Sequence, residues 1–151
     1  MAKRYEQDIR ERAFKLGARV FALYPVIARK GAGHAVLARQ LLKAATAVAA
    51  QLEEAAAPSS RRDMAQHYAI GLREAREGRM WARLLATDPI CTKDMTPIVA
   101  ELGEFVAMLT TAVKKLRRPP EGSDSDPGKQ AEAQAYGSAL GLSHKALTSD
   151  F

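Results

Sequence analysis

The chain has 151 residues, of which 47% are hydrophobic and 6% aromatic, with 23 basic side chains against 17 acidic ones. That length suits one domain with a real core and is too short for two comfortable ones, and an apolar content made mostly of Ala and Leu is that of packed helices. A cytoplasmic protein is expected: no stretch reads as the roughly 20 apolar residues of a membrane span, the uncharged run 44–52 is far short, and residues 1–8 show no apolar segment of signal-peptide type.

The first helical pattern places Ile9, Ala13, Leu16, Val20, Leu23 and Ile27 at spacings of three and four, one stripe of a helix. Pro25 near its end predicts a kink or an early stop. Opposite this stripe lies a second apolar row, Phe14, Ala18, Phe21 and Pro25. A helix at the edge of a lone bundle shows water a polar back, so two opposed stripes predict burial on both sides. The second row is read as a subunit contact, with coverage by the chain's own tail as the alternative. Arg12, Lys15 and Arg19 form a basic flank on the same helix.

Gly31 and Gly33 supply a tight connection to a second helix over about 34–56, with the stripe Leu37, Leu41, Ala44, Val48, Leu52 and Ala55. Its many alanines let a neighbouring backbone come close. Pro58, Ser59 and Ser60 break the pattern, and Ser60 with Asp63 three residues later reads as an N-cap before an acidic first turn.

The third helix runs to about Ala86 and carries Arg73, Arg76, Arg79 and Arg83 as one continuous ridge. Such a row suits nucleic-acid phosphates, each contact adding a salt-dependent increment. The competing reading is a solvated face neutralised by local pairs such as Arg73 with Glu77. Glu74 falls on the side expected to be buried, where a carboxylate requires a partner; Arg39, Gln40 or Lys43 of the second helix are the candidates. A carboxylate metal site drawing on Glu54, Glu74 and Glu77 is the alternative, but Glu-x-x-His, the bundle motif for such sites, is absent from the sequence.

Asp88 to Lys93 reads as a turn-like connection holding Cys91, the single cysteine. One cysteine permits no internal disulfide and no thiolate cluster within the chain, and an inert loop thiol is expected. Thr96 and Pro97 look like the start of a fourth helix, with Pro97 at its first position and the stripe Ile98, Leu102, Phe105, Leu109, Ala112 and Leu116. Lys114, Lys115, Arg117 and Arg118 suit its C-terminus. Loops this short force antiparallel neighbours, so the predicted fold is all-α, an antiparallel up-down-up-down four-helix bundle.

That bundle is assigned to 1–118. From Pro119 the composition shifts to a Pro-, Gly- and Ser-rich acidic segment, read as a partly disordered linker and tail over 119–151, with a weak Ala-rich helix over 129–147. Residues 1–118 hold 21 basic and 12 acidic side chains, whereas the tail sets Lys129 and Lys145 against five acids. A basic body with an acidic tail predicts an anionic partner or self-screening. The sequence holds no phosphate-binding Gly loop, nucleophile elbow or Cys/His metal spacing, so neither a reaction nor a cofactor is assigned.

Two segments carry a family resemblance: Arg-Gln-Leu-Leu-Lys-Ala-Ala-Thr-Ala-Val-Ala-Ala-Gln-Leu-Glu-Glu-Ala over 39–55 and Leu-Arg-Glu-Ala-Arg-Glu-Gly-Arg-Met-Trp-Ala-Arg-Leu-Leu over 72–85. Together they resemble the bacterial four helix bundle protein family, known from reading frames within intervening sequences of large-subunit ribosomal RNA genes. Arg39, Gln40 and Lys43 match its basic start of helix two and Glu54 the acidic end; Glu74, Glu77, Trp81 and Arg83 match its third-helix pattern. Gln51 stands where the family usually has Asn, Ala47 where it often has Ser, and the acidic tail is outside the pattern. The resemblance implies an antiparallel bundle that assembles as a homo-oligomeric ring, typically a pentamer. Through a related branch of retroelement accessory proteins, it also implies binding to nucleic acid or a nucleic-acid enzyme by a basic surface.

Overall fold

Apolar residues spaced three and four apart fold into four α-helices: α1 (Ala2–Ala28), α2 (Ala32–Glu54), α3 (Arg61–Ala86) and α4 (Pro89–Arg117). The computed structural model describes residues 2–118, with side chains from Ile9 onward. The expectations for the tail and its weak helix lie outside the described residues.

Side-chain contacts show that the topology alternates. Arg10 early in α1 meets Glu53 late in α2 at 3.1 Å, and Gly17 lies against Ala45 and Thr46. Along α3, Gly71 faces Gln51 and Leu109, while Gly78, one pair of turns on, faces Ala44 and Leu102. Rising numbers on α3 therefore match falling numbers on both α2 and α4, and each helix runs antiparallel to the one before it. α1 and α4 come near each other chiefly through long side chains rather than by close backbone packing.

The core follows most of the stripes read from the sequence, with Leu23 of α1 and Leu37 of α2 only half-buried and Tyr68, Leu72, Ala75, Ala82 and Leu85 supplying the α3 side. Ile9, Ala13, Leu16, Val20 and Ile27 of α1 meet Leu41, Ala44, Ala45, Val48 and Leu52 of α2, and Ile98, Leu102, Phe105 and Leu109 of α4 are wholly buried. On α4 the stripe drifts at its end, where Val113 is buried and Ala112 and Leu116 are half-buried. Small residues set the closest approaches: a methyl group on Gly78 would meet Ala44 Cβ at 3.3 Å.

The early stop at Pro25 does not occur: α1 continues to Ala28, and Pro25 is exposed, as its place in the second row implies. The expected start of the fourth helix is corrected. α4 begins at Pro89 rather than Pro97: Asp88 adopts an extended backbone and accepts the Ile90 N–H at 2.9 Å, with Pro89 in the first turn, where its missing N–H costs nothing. Pro97 lies inside the helix. Cys91 is consequently a helical core residue with 0% exposure, not a loop thiol. α4 is long and apolar enough to cross a membrane by length and composition, which the sequence reading missed; its apolar stripe forms part of the bundle core.

The α3 cap is as expected. Ser60 Oγ accepts from the Asp63 N–H at 3.1 Å, while the Asp63 carboxylate accepts from the Ser59 N–H at 2.9 Å. At the same end of the bundle, Arg61 donates to the Lys115 and Leu116 carbonyls, satisfying acceptors that the last turn of α4 leaves free.

Candidate functional site

The arginine ridge is assembled on the surface of α3: Arg73, Arg76, Arg79 and Arg83 are all exposed. Arg73 bonds Glu74 at 3.3 Å, not Glu77; Glu77 instead accepts the Trp81 indole N–H at 3.2 Å. Arg79 lies along α4, its Nε 3.5 Å from where a Cβ on Gly103 would stand, so that glycine makes room for the guanidinium. Among the described residues Arg76, Arg79 and Arg83 form no ion pair. Exposed Met80 and Leu84 alternate with them, apolar neighbours that the reading of the ridge had not taken into account.

The flank on α1 is a different surface. Arg12 is half-buried and committed: it bonds Glu101 at 2.9 Å and also Glu104, and its guanidinium carbon sits 5.6 Å above the Phe105 ring. The Glu104 hydrogen bond and then that to Glu101 raise its already high pKa against the opposing effect of burial. Lys15 pairs with Glu11 at 3.3 Å, leaving Arg19 exposed and unpaired among the described residues. Arg12, Lys15 and Arg19 do share one groove with Leu16, Pro97 and Glu101. Arg12 reaches α4 from α1 and Arg79 reaches it from α3, so α4 separates the two basic rows and they do not merge.

Phe14 and Phe21 are 65% and 67% exposed, with Ala18 and Pro25 exposed beside them. The second stripe of α1 is thus an open apolar face on residues 2–118.

The expected ion pair of Glu74 with Arg39 or Lys43 does not form; Arg39 and Lys43 are exposed, and Arg73, the next residue in the chain, is the partner. The register explains it. Gly71 faces Gln51 and Gly78 faces Ala44, which sets Glu74 level with 47–48, a turn or more beyond Lys43 and Arg39. The carboxylates of the alternative metal site, Glu54, Glu74 and Glu77, form no cluster among the described residues. Gln51, the departure from the family's Asn, accepts through Oε1 from His67 Nδ1 at 2.9 Å, so α2 and α3 keep a polar link there.

Another cluster was not anticipated. His34 in the first turn of α2, Asp88 at the α3–α4 corner and Cys91 in the first turn of α4 converge, with one ligating atom of each within 4.8 Å of the others. His34 Nε2 lies 2.7 Å from Asp88 Oδ2. The Ile90 N–H, then His34, hold the Asp88 carboxyl below the usual carboxylate range, whereas burial pushes the Cys91 thiol up. The only sequence signal was Asp-x-x-Cys, one helical turn; its histidine is 54 residues away from Asp88.

No family model matches the chain, and no curated protein matches it. Among solved structures it is similar to the crystal structure of a protein of unknown function from the S23 ribosomal protein family of Bacteroides thetaiotaomicron. The two are 24% identical with a TM-score of 0.65, over 72% of this chain and 97% of that one. At that identity the likeness shows the helical fold and no more.

Proposed function

We propose that this chain is a non-catalytic, cytoplasmic, homo-oligomeric bundle that serves as a binding or scaffolding module for nucleic acid or a nucleic-acid enzyme. The observation that carries it is the α3 ridge, where three exposed guanidinium groups, those of Arg76, Arg79 and Arg83, have no acidic partner among the described residues. Arginine presents donors in a fork that matches phosphate oxygens. Arg12 drops out of the nucleic-acid surface because Glu101 and Glu104 occupy it. Assembly through Phe14, Ala18, Phe21 and Pro25, as a pentamer of the kind typical of the bacterial four helix bundle family that the signatures resemble, would repeat the ridge around a ring and multiply weak contacts.

Fluorescence anisotropy against RNA and DNA oligonucleotides over a range of salt concentrations tests the ridge. Affinity falls with salt, and each ridge arginine changed to alanine lowers the slope of log affinity against log salt by about 1. Absence of binding at low salt, or a slope the variants leave unaltered, overturns the phosphate reading.

A second reading, an acidic protein partner with no nucleic-acid role, is favoured by Met80 and Leu84, exposed among the arginines. An interface mixing arginine with apolar anchors suits a protein. Met80→Asp and Leu84→Asp then abolish partner capture, whereas phosphate binding changes only by their added charge.

A further inference from the structure

We infer that His34, Asp88 and Cys91 form a binding site for a thiophilic divalent cation of the zinc type, at the corner where α2 begins and α3 turns into α4. This stands apart from the arginine ridge and does not depend on it.

The three donors are of different kinds: His34 comes from the first turn of α2, and Asp88 and Cys91 lie one helical turn apart at the start of α4. A tetrahedral zinc ion with bonds of about 2.0–2.3 Å places its ligand atoms roughly 3.3–3.6 Å apart. The atoms here lie within 4.8 Å of one another, and the 2.7 Å His34–Asp88 contact has to open, so side-chain rotations of an ångström or so build the shell. Asp88 is already oriented for it: one carboxylate oxygen is fixed by the Ile90 N–H, which leaves Oδ2, now on His34, for the cation. Such outer contacts are what hold ligating carboxylates in place. Gly31 leaves space at the other ring nitrogen, Nδ1 of His34 lying 3.5 Å from where a Cβ would stand.

Burial divides the site. Cys91 closes it from below at 0% exposure, while the His34 and Asp88 side chains are 26% and 29% exposed, so water reaches the fourth position. Binding replaces the Cys91 S–H bond by a sulfur–metal bond, with the proton released to solvent; His34 binds as neutral imidazole. Two further charges act on the cluster. Lys30 lowers and Asp94 raises the proton affinity of Cys91, and by the same fields Lys30 opposes a cation and Asp94 favours it.

Chelator-stripped full-length protein is titrated with Co2+ and then with Zn2+. The expected result is one Co2+ per chain with the near-ultraviolet thiolate-to-cobalt charge-transfer band, displaced by Zn2+. Cys91→Ser loses that band, His34→Gln weakens binding at least about tenfold, and Lys30→Met strengthens it. Circular dichroism checks that each variant keeps its helices, and His34→Gln serves if Cys91→Ser does not fold. Folded wild-type protein with no charge-transfer band overturns the site. So does Co2+ binding that survives both ligand substitutions, which marks an adventitious surface ion only.

Discussion

Arg12 and Glu101, 89 residues apart, share two hydrogen bonds to one oxygen: Arg12 Nε and Nη2 approach Glu101 Oε1 at 3.1 and 2.9 Å. This is the polar clasp between α1 and α4, where backbone packing is sparse. Both side chains are about one-third exposed, so solvent screening keeps the contact modest, although a paired guanidinium is better than a point charge. Arg12→Ala is expected to cost about 1 kcal/mol in urea denaturation, and Arg12→Lys to recover only part, because ammonium cannot repeat the fork. The cost of Arg12→Ala shrinks at high salt; a loss independent of salt would assign it to packing on Phe105.

Two glycines separate close packing from helix propensity. Gly78→Ala pushes a methyl group to 3.3 Å from Ala44 and 3.5 Å from Leu102, and overpacking of that kind costs about 1–3 kcal/mol. Gly33 lies in the first turn of α2 with nothing within 4 Å of a built Cβ, so Gly33→Ala stabilises by up to about 1 kcal/mol. Thermal melts of the two variants shift in opposite directions; a gain for Gly78→Ala would mean that α2 and α3 are less closely fitted than they stand here.

The acid limb of stability reports Asp63. The Ser59 N–H, followed by the Ser59 hydroxyl, holds its carboxyl below the usual range. A carboxyl whose folded pKa is depressed contributes stability that is present above its unfolded pKa, about 3.9, and lost as pH falls through the folded value. Asp63→Asn therefore flattens the dependence of unfolding free energy on pH below about pH 4. Asp88→Asn does the same for the α4 cap, where the Ile90 N–H is the first cause and His34 the second. Parallel acid limbs for wild type and both variants would show that other carboxylates govern the transition.

Phe14 and Phe21 are exposed enough that charge there leaves a lone bundle folded. Phe14→Glu combined with Phe21→Glu is expected to give helical, soluble monomers by light scattering, against a homo-oligomer for the parent. An unaltered assembly would place the subunit contact on another face.

The sequence was most legible where one helix face decides burial. Ile9 to Ile27 and Ile98 to Leu109 could be placed in the core from spacing alone, because a residue at i+3 or i+4 shares the side of the residue at i. The Ser60 cap was also local, spanning three residues. Pro97 misled because it satisfies the rule for a first helical position as well as Pro89 does; Asp88, whose carboxylate caps Ile90, decides between them. Arg12 was placed on a basic flank because nothing near it in sequence foretold Glu101.

The sequence by itself determined that there are four helices, most of the buried stripes of α1, α2 and α4, the arginine row on α3 and the apolar back of α1, since each depends on a period within one segment. Only the tertiary structure decided which charges remain free. Register between antiparallel helices sets Glu74 beyond the reach of Arg39 and Lys43, joins Arg12 to Glu101, and brings His34 to Asp88 and Cys91. Helical periodicity fixes the direction in which a side chain leaves its own axis; the partner it meets depends on the sliding and distance of a second axis, which close packing of Gly17, Gly71 and Gly78 against their neighbours settles.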